Sequence, residues 1–256
     1  MSTMTGSFDL PHACPLPAPL PEPRPWGFWA TLGWGVFAAA TGFFAAMMCA
    51  VIWILSDGLR LPDPADAAYS LTAMIAASLA PLAVLVIAAK MRKWPLRAYF
   101  ALGPIRRRDL ALGIACLTAL IVVSEVLASL TGVDEGSRFM DQIYRSARLA
   151  GMLPLLWLGV VVVAPVSEEL LFRGFLHRGW APSRLGAVGT VVLTSGLWAA
   201  LHQQYDWAGI LAIFLMGLLF GWLRQRSGST MLIIVLHGLN NLAATLLLMV
   251  KLEWLS

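Results

Sequence analysis

Charge is scarce in this chain. Only 12% of its 256 residues are Asp, Glu, Lys or Arg, while 59% are apolar, which fits neither a soluble domain nor a disordered chain. Cysteine is scarcer still. Cys14, Cys49 and Cys116 are odd in number and widely spaced, which excludes a disulfide framework and a C-x-x-C metal site and leaves unpaired thiols. The N-terminus lacks the basic stretch and small-residue cleavage site of a signal peptide, and its first apolar run is too long for a signal core, so that run is expected to stay as a membrane anchor. No repeat of fixed period is visible, so a transporter built from internal repeats gains no direct support. There is also no H-E-x-x-H, the spacing that places two zinc-binding histidines and a base on one helix face.

Long apolar runs are what the sequence has instead. About 20 apolar residues span a bilayer core, and seven stretches qualify: about 27–55, 68–89, 110–131, 152–177, 185–203, 207–223 and 230–250. Backbone groups in hydrocarbon must be satisfied internally, so the spans are helices. The expected fold is all-α, a polytopic bundle of about seven transmembrane helices. Residues 1–26 carry Pro11, Pro15, Pro17, Pro19, Pro21, Pro23 and Pro25, which prevent helix and predict an extended, disordered tail. Residues 27–149 hold the first three spans with their loops, and residues 150–250 the last four.

The net charge of +4 and pI near 9.3 reflect loop topology, not nucleic-acid binding. Lys90, Arg92, Lys93, Arg97, Arg106, Arg107 and Arg108 crowd one connection, which marks it as cytoplasmic. Alternation from there puts Arg178, Arg184, Arg224 and Arg226 inside, Asp206 outside and the N-terminus in the cytoplasm. The short loops fit a bacterial inner membrane. The segments "KWPLRAYFALG" and "SRFMDQIYRSARLAG" are read either as short amphipathic helices in the interface or as ordinary connecting loops.

The ionisable residues left inside the spans are Glu125, Glu168, Glu169, Arg173, His202 and His237. Burying a charged side chain in lipid costs roughly 2.5–3.5 kcal/mol on insertion scales, so these residues should face the bundle interior. Glu169 and Arg173 are i, i+4 neighbours able to neutralise each other, whereas Glu168 points to another face without a local partner. A carboxylate so placed can hold a water and take its proton. The same triad can also simply pin helices together. Trp198 and His202 share a face at i, i+4, as do His237 and Asn241, both able to donate hydrogen bonds to a developing oxyanion or across a helix pair. Asn240 points about 100° away. Phe214, Gly217 and Gly221 read as a helix-packing face, and Glu125 as a bond to a neighbouring helix, with a place in the lining of the same cavity as the alternative. Two histidines and a carboxylate also suffice for a zinc site, the rival chemistry.

In order and approximate spacing, Glu-Glu-x-x-x-Arg at 168–173, aromatic-x-x-x-His at 198–202, Phe-x-x-Gly-x-x-x-Gly at 214–221 and His-x-x-x-Asn at 237–241 resemble the CPBP family, the CAAX proteases and bacteriocin-processing enzymes. The likeness covers about residues 150–245. It implies a four-helix catalytic core and a metal-free glutamic endopeptidase acting on membrane proteins or peptides. Within that core it implies that Glu168 and His202 activate water, His237 and Asn241 stabilise the oxyanion, and Glu169 and Arg173 support the site; Trp198, also read as supporting, stands where the family more often has Phe and keeps the aromatic wall. No cofactor is expected. A scaffold that keeps the fold without turnover and a proton-coupled transporter are the alternatives.

One strain is visible in advance. With straight vertical helices, Glu168 lies near mid-membrane and His202 at the outer end of its span, so either the fifth helix starts deeper and tilts or Pro165 breaks the fourth.

Overall fold

The computed structural model describes residues 24–131 and 138–254. The Pro-rich tail up to residue 23, with His12 and Cys14, lies outside the described residues. Those described are helical and include no strand. Among the described residues six helices are long and apolar enough to cross a membrane, and the chain is an all-α integral membrane protein.

In chain order the helices are α1 (Phe28–Ser56), α2 (Ala67–Met91), the single turn α3 (Leu96–Tyr99), α4 (Arg107–Thr131) and α5 (Arg138–Leu149). They continue with α6 (Leu153–Trp180), α7 (Gly186–Ala200), α8 (Trp207–Ser227) and α9 (Thr230–Trp254). The fifth expected span is the exception to membrane length: α7 has 15 residues, about 22 Å at 1.5 Å per residue. It ends at the turn holding His202, Gln203 and Gln204, and α8 restarts at Asp206, whose Oδ1 accepts from Gly209 N–H at 2.8 Å as an N-cap.

Helix α6 is central and packs against α1, α2, α7 and α9. Small residues allow the closest approaches. A Cβ at Gly42 of α1 would lie 2.7 Å from Ala77 O of α2, and one at Gly221 of α8 would lie 2.6 Å from Val191 Cγ1 of α7. The main core gathers Phe172, Phe175, Trp180, Trp198, Phe220 and Leu236 around α6, and a second, smaller one seats α5.

The two doubtful connections differ. Residues 138–149 form an amphipathic helix whose Ile143, Tyr144 and Ala147 are buried. Residues 93–103 form one helical turn in a tied-down loop. Arg178 Nε donates to Tyr99 O at 3.0 Å, and Thr230 N–H donates to Ala101 O at 2.9 Å. Burial pushes the Tyr99 hydroxyl up to about 12. This end of the bundle carries the arginines and lysines of residues 90–108 together with Arg178, Arg224 and Arg226.

Glu125 departs from expectation. It is exposed, beside exposed Val122 and Val126 on the outward face of α4, and no partner for its carboxylate exists among the described residues. It lies eighteen residues into α4, roughly 27 Å from that helix's start, where an exposed carboxylate can reach the membrane surface.

Candidate active site

Helix α6 changes register twice. Residues Leu158–Val163 and Leu170–Leu176 form wide turns closed by i→i+5 bonds, a distortion that recurs at functional sites. In the first, Ala164 N–H reaches back to Gly159 O. The next bond in that register would run from residue 165 to Val160 O, but Pro165 has no N–H. Asn241 Nδ2 donates to Val160 O instead, at 2.9 Å. Gly238 lets α9 approach here, since a Cβ on it would lie 3.0 Å from Val161 O. Pro165 therefore does not break α6; the wide turn before it absorbs the missing bond.

The second wide turn carries Arg173. Its guanidinium is 1% exposed and reaches two helices: Nη1 donates to Glu169 Oε1 at 3.1 Å and Nη2 to Gly217 O of α8 at 3.2 Å. It also lies over the Trp198 ring at 4.7 Å and the Phe220 ring at 5.7 Å. Glu169 is fully buried, and its Oε1 also meets His237 Nδ1 of α9 at 2.9 Å. A carboxylate oxygen accepts, so Nδ1 carries the hydrogen, and Nε2 is the ring atom left for chemistry. The His237 ring is wedged between Trp198 and Phe220, at 5.3 and 5.7 Å.

Glu168 faces the other way, towards α7, and is half-buried. Trp198 Nε1 donates to its Oε2 at 2.5 Å. Glu168 lies twelve residues before Trp180, the end of α6, and Trp198 twelve after Gly186, the start of α7, so the two meet at one height. That removes most of the anticipated mismatch. His202, in the turn after α7, donates from Nδ1 to Trp198 O at 2.8 Å. A carbonyl can only accept, so Nε2 of the neutral ring holds the lone pair. Trp198 thus touches both Glu168 and His202.

The expected site residues fall into two connected groups. Glu168, Trp198 and His202 form one; Glu169, Arg173, His237 and the Gly217 carbonyl form the other, with the Trp198 ring between them. Asn241 sits one turn beyond His237 on α9 and gives one amide hydrogen to Val160, while its Oδ1 accepts from Asn240 Nδ2 at 3.3 Å. Asn240 also lines a cleft of about 150 Å³ between α4 and α9, otherwise apolar but for Thr118. Gly217 and Gly221 lie where α8 crosses α7, and Phe214 is half-buried one turn before Gly217.

Tyr205 was not singled out in the sequence. Its ring lies 6.3 Å from that of His202, and burial raises its hydroxyl pKa, with the Glu168 charge adding to the rise. Its i, i+3 spacing from His202 was the available signal. Among the described residues no three His, Cys, Asp or Glu side chains come together as a metal-ligand set.

Residues 150–243 match the family described as type II CAAX prenyl endopeptidase, Rce1-like. A curated relative, an uncharacterised 24.3 kDa protein of Escherichia coli, is 35% identical over 105 residues. That stretch is 39% of this chain and 46% of the relative, so the chain spans about half the length of the curated protein it matches. No solved structure matches. The matched segment runs from the start of α6 into α9 and contains Glu168, Glu169, Arg173, Trp198, His202, His237 and Asn241, so residues 150–243 are an Rce1-like segment of a membrane protein.

Proposed function

We propose that the protein is an intramembrane endopeptidase that hydrolyses peptide bonds of membrane-associated proteins with water activated by Glu168 and His202. The observation that carries this reading is the pair of proton acceptors beside Trp198. With Oε2 of Glu168 and Nδ1 of His202 engaged, Glu168 Oε1 and His202 Nε2 are free to take the two hydrogens of one water and leave its oxygen lone pair for attack. The water oxygen bonds to the scissile carbonyl carbon and its proton passes to Glu168. The C–N bond then breaks, and the leaving nitrogen takes up the proton that Glu168 received. The second amide hydrogen of Asn241, and His237 as an imidazolium whose Nδ1–H is held by Glu169 and whose Nε2–H points to the substrate, serve the oxyanion. No covalent intermediate and no metal are required, so a chelator should leave turnover intact. The basic end faces the cytoplasm of a bacterial inner membrane in this reading.

Wild type and Glu168→Gln, expressed at matched levels in the host lacking the gene, should differ in the termini of membrane proteins read by mass spectrometry. New termini with wild type alone support the assignment and name the substrate. The same termini with a folded Glu168→Gln protein would overturn it, and rescue of the deletion phenotype by both would favour a non-catalytic scaffold.

A further inference from the structure

Trp198 does more than wall the site. Its indole N–H is a single donor with no accepting capacity, it is 2% exposed, and a donor so buried needs a partner. That partner is Glu168 Oε2. The backbone carbonyl of the same residue fixes His202 through Nδ1. The indole cannot swing away, because Arg173 lies over it at 4.7 Å, His237 stands edge-on at 5.3 Å and Phe220 packs at 6.1 Å. One residue of α7 therefore sets the direction of a carboxylate on α6 and of an imidazole in the following turn.

We infer that Trp198 is a positioning residue, whose indole N–H holds Glu168 in the orientation that lets Glu168 and His202 share one water. This rests on the hydrolytic reading above. Its consequence is specific: the hydrogen bond matters, not the aromatic surface. Losing it should leave the fold and substrate binding in place and slow the chemical step, since misplacement of a reacting group by about 1 Å can cost on the order of a hundredfold in rate.

The test replaces the tryptophan at position 198 by 3-benzothienylalanine, in which sulfur stands for the indole N–H and the ring shape is kept, with Trp198→Phe alongside. Peptide hydrolysis in proteoliposomes should fall about tenfold to a hundredfold in kcat in both, with KM nearly unchanged. A second measurement does not depend on turnover. The indole ¹⁵N–¹H resonance of Trp198, assigned by its loss in Trp198→Phe, should move upfield in Glu168→Leu. Wild-type kcat in the benzothienylalanine protein, or an indole resonance indifferent to Glu168→Leu, would overturn the inference. A responsive resonance in a wild-type protein that hydrolyses nothing would overturn the hydrolytic reading alone and leave the Trp198–Glu168 tie in place.

Discussion

Arg173 and Glu169 are 1% and 0% exposed, and a charge so deep persists only if its neighbours compensate it. Arg173 does this with a planar fork, one nitrogen on Glu169 and another on the Gly217 carbonyl, under an indole face. Lysine offers a single point of charge and cannot serve both acceptors at that distance. Arg173→Met leaves Glu169 buried without its counter-ion and should destabilise the protein by about 3–5 kcal/mol. Arg173→Met with Glu169→Gln removes both charges and should recover a substantial part of that loss. Thermal unfolding in detergent reads both variants, and a double variant less stable than Arg173→Met would show that the pair is not the reason for the burial. The i, i+4 spacing made this pair legible in the sequence. The partner of His237 was not, because spacing along α9 places His237 beside Asn241 but carries no information about which face of α6 it meets. That the Glu169 carboxylate serves both Arg173 and His237 needed the packing of two helices 68 residues apart in sequence.

At the level of the helix, the wide turns of α6 are what hydropathy cannot reveal. The run from Leu158 to Val163 is apolar on every face, so a change from i+4 to i+5 bonding leaves no mark on its pattern. Pro165 was a visible irregularity, yet its consequence lies on α9, where Asn241 serves the Val160 carbonyl that proline cannot. This makes a coupling measurable. Asn241→Leu orphans Val160 O and should cost about 1–3 kcal/mol. Pro165→Ala restores an N–H able to take that carbonyl, so the loss caused by Asn241→Leu should be smaller in the Pro165→Ala background. A double-mutant cycle on unfolding free energies should give a coupling of about 1 kcal/mol. Strict additivity would mean that the two residues do not share this carbonyl. The outcome bears on chemistry, because an Asn241 amide held by Val160 presents its remaining hydrogen in one fixed direction.

Across the whole molecule, the six long helices were plain from composition, whereas the length of α7 was not. Its apolar run continues through Leu201, and hydropathy counts residues without seeing that the helix stops at Ala200 and the chain turns through His202. The opposite end of the bundle is closed by α5, whose amphipathic pattern left helix and loop equally open. Three bonds dock it. Tyr144 Oη donates to Glu253 Oε1 at 2.6 Å, Arg148 Nε lies 3.5 Å from the same oxygen, and Ser146 Oγ accepts from Ala67 N–H at 2.9 Å. Burial, reinforced by donation to Glu253 and by its negative charge, pushes the Tyr144 hydroxyl up to about 12 from its ordinary 10. A raised value means that the folded state favours the neutral phenol. The stability this contributes is whole below pH 10 and is lost as pH rises through 12. The melting temperature of the wild type in detergent should therefore fall between pH 10 and 12 more steeply than that of Tyr144→Phe, which keeps the ring in its pocket but has no proton to lose. Below pH 10 Tyr144→Phe should be the less stable protein, by about 1 kcal/mol for the lost hydrogen bond. Parallel curves for the two proteins through the alkaline range would show that α5 is not held to α9 by the Tyr144 hydroxyl.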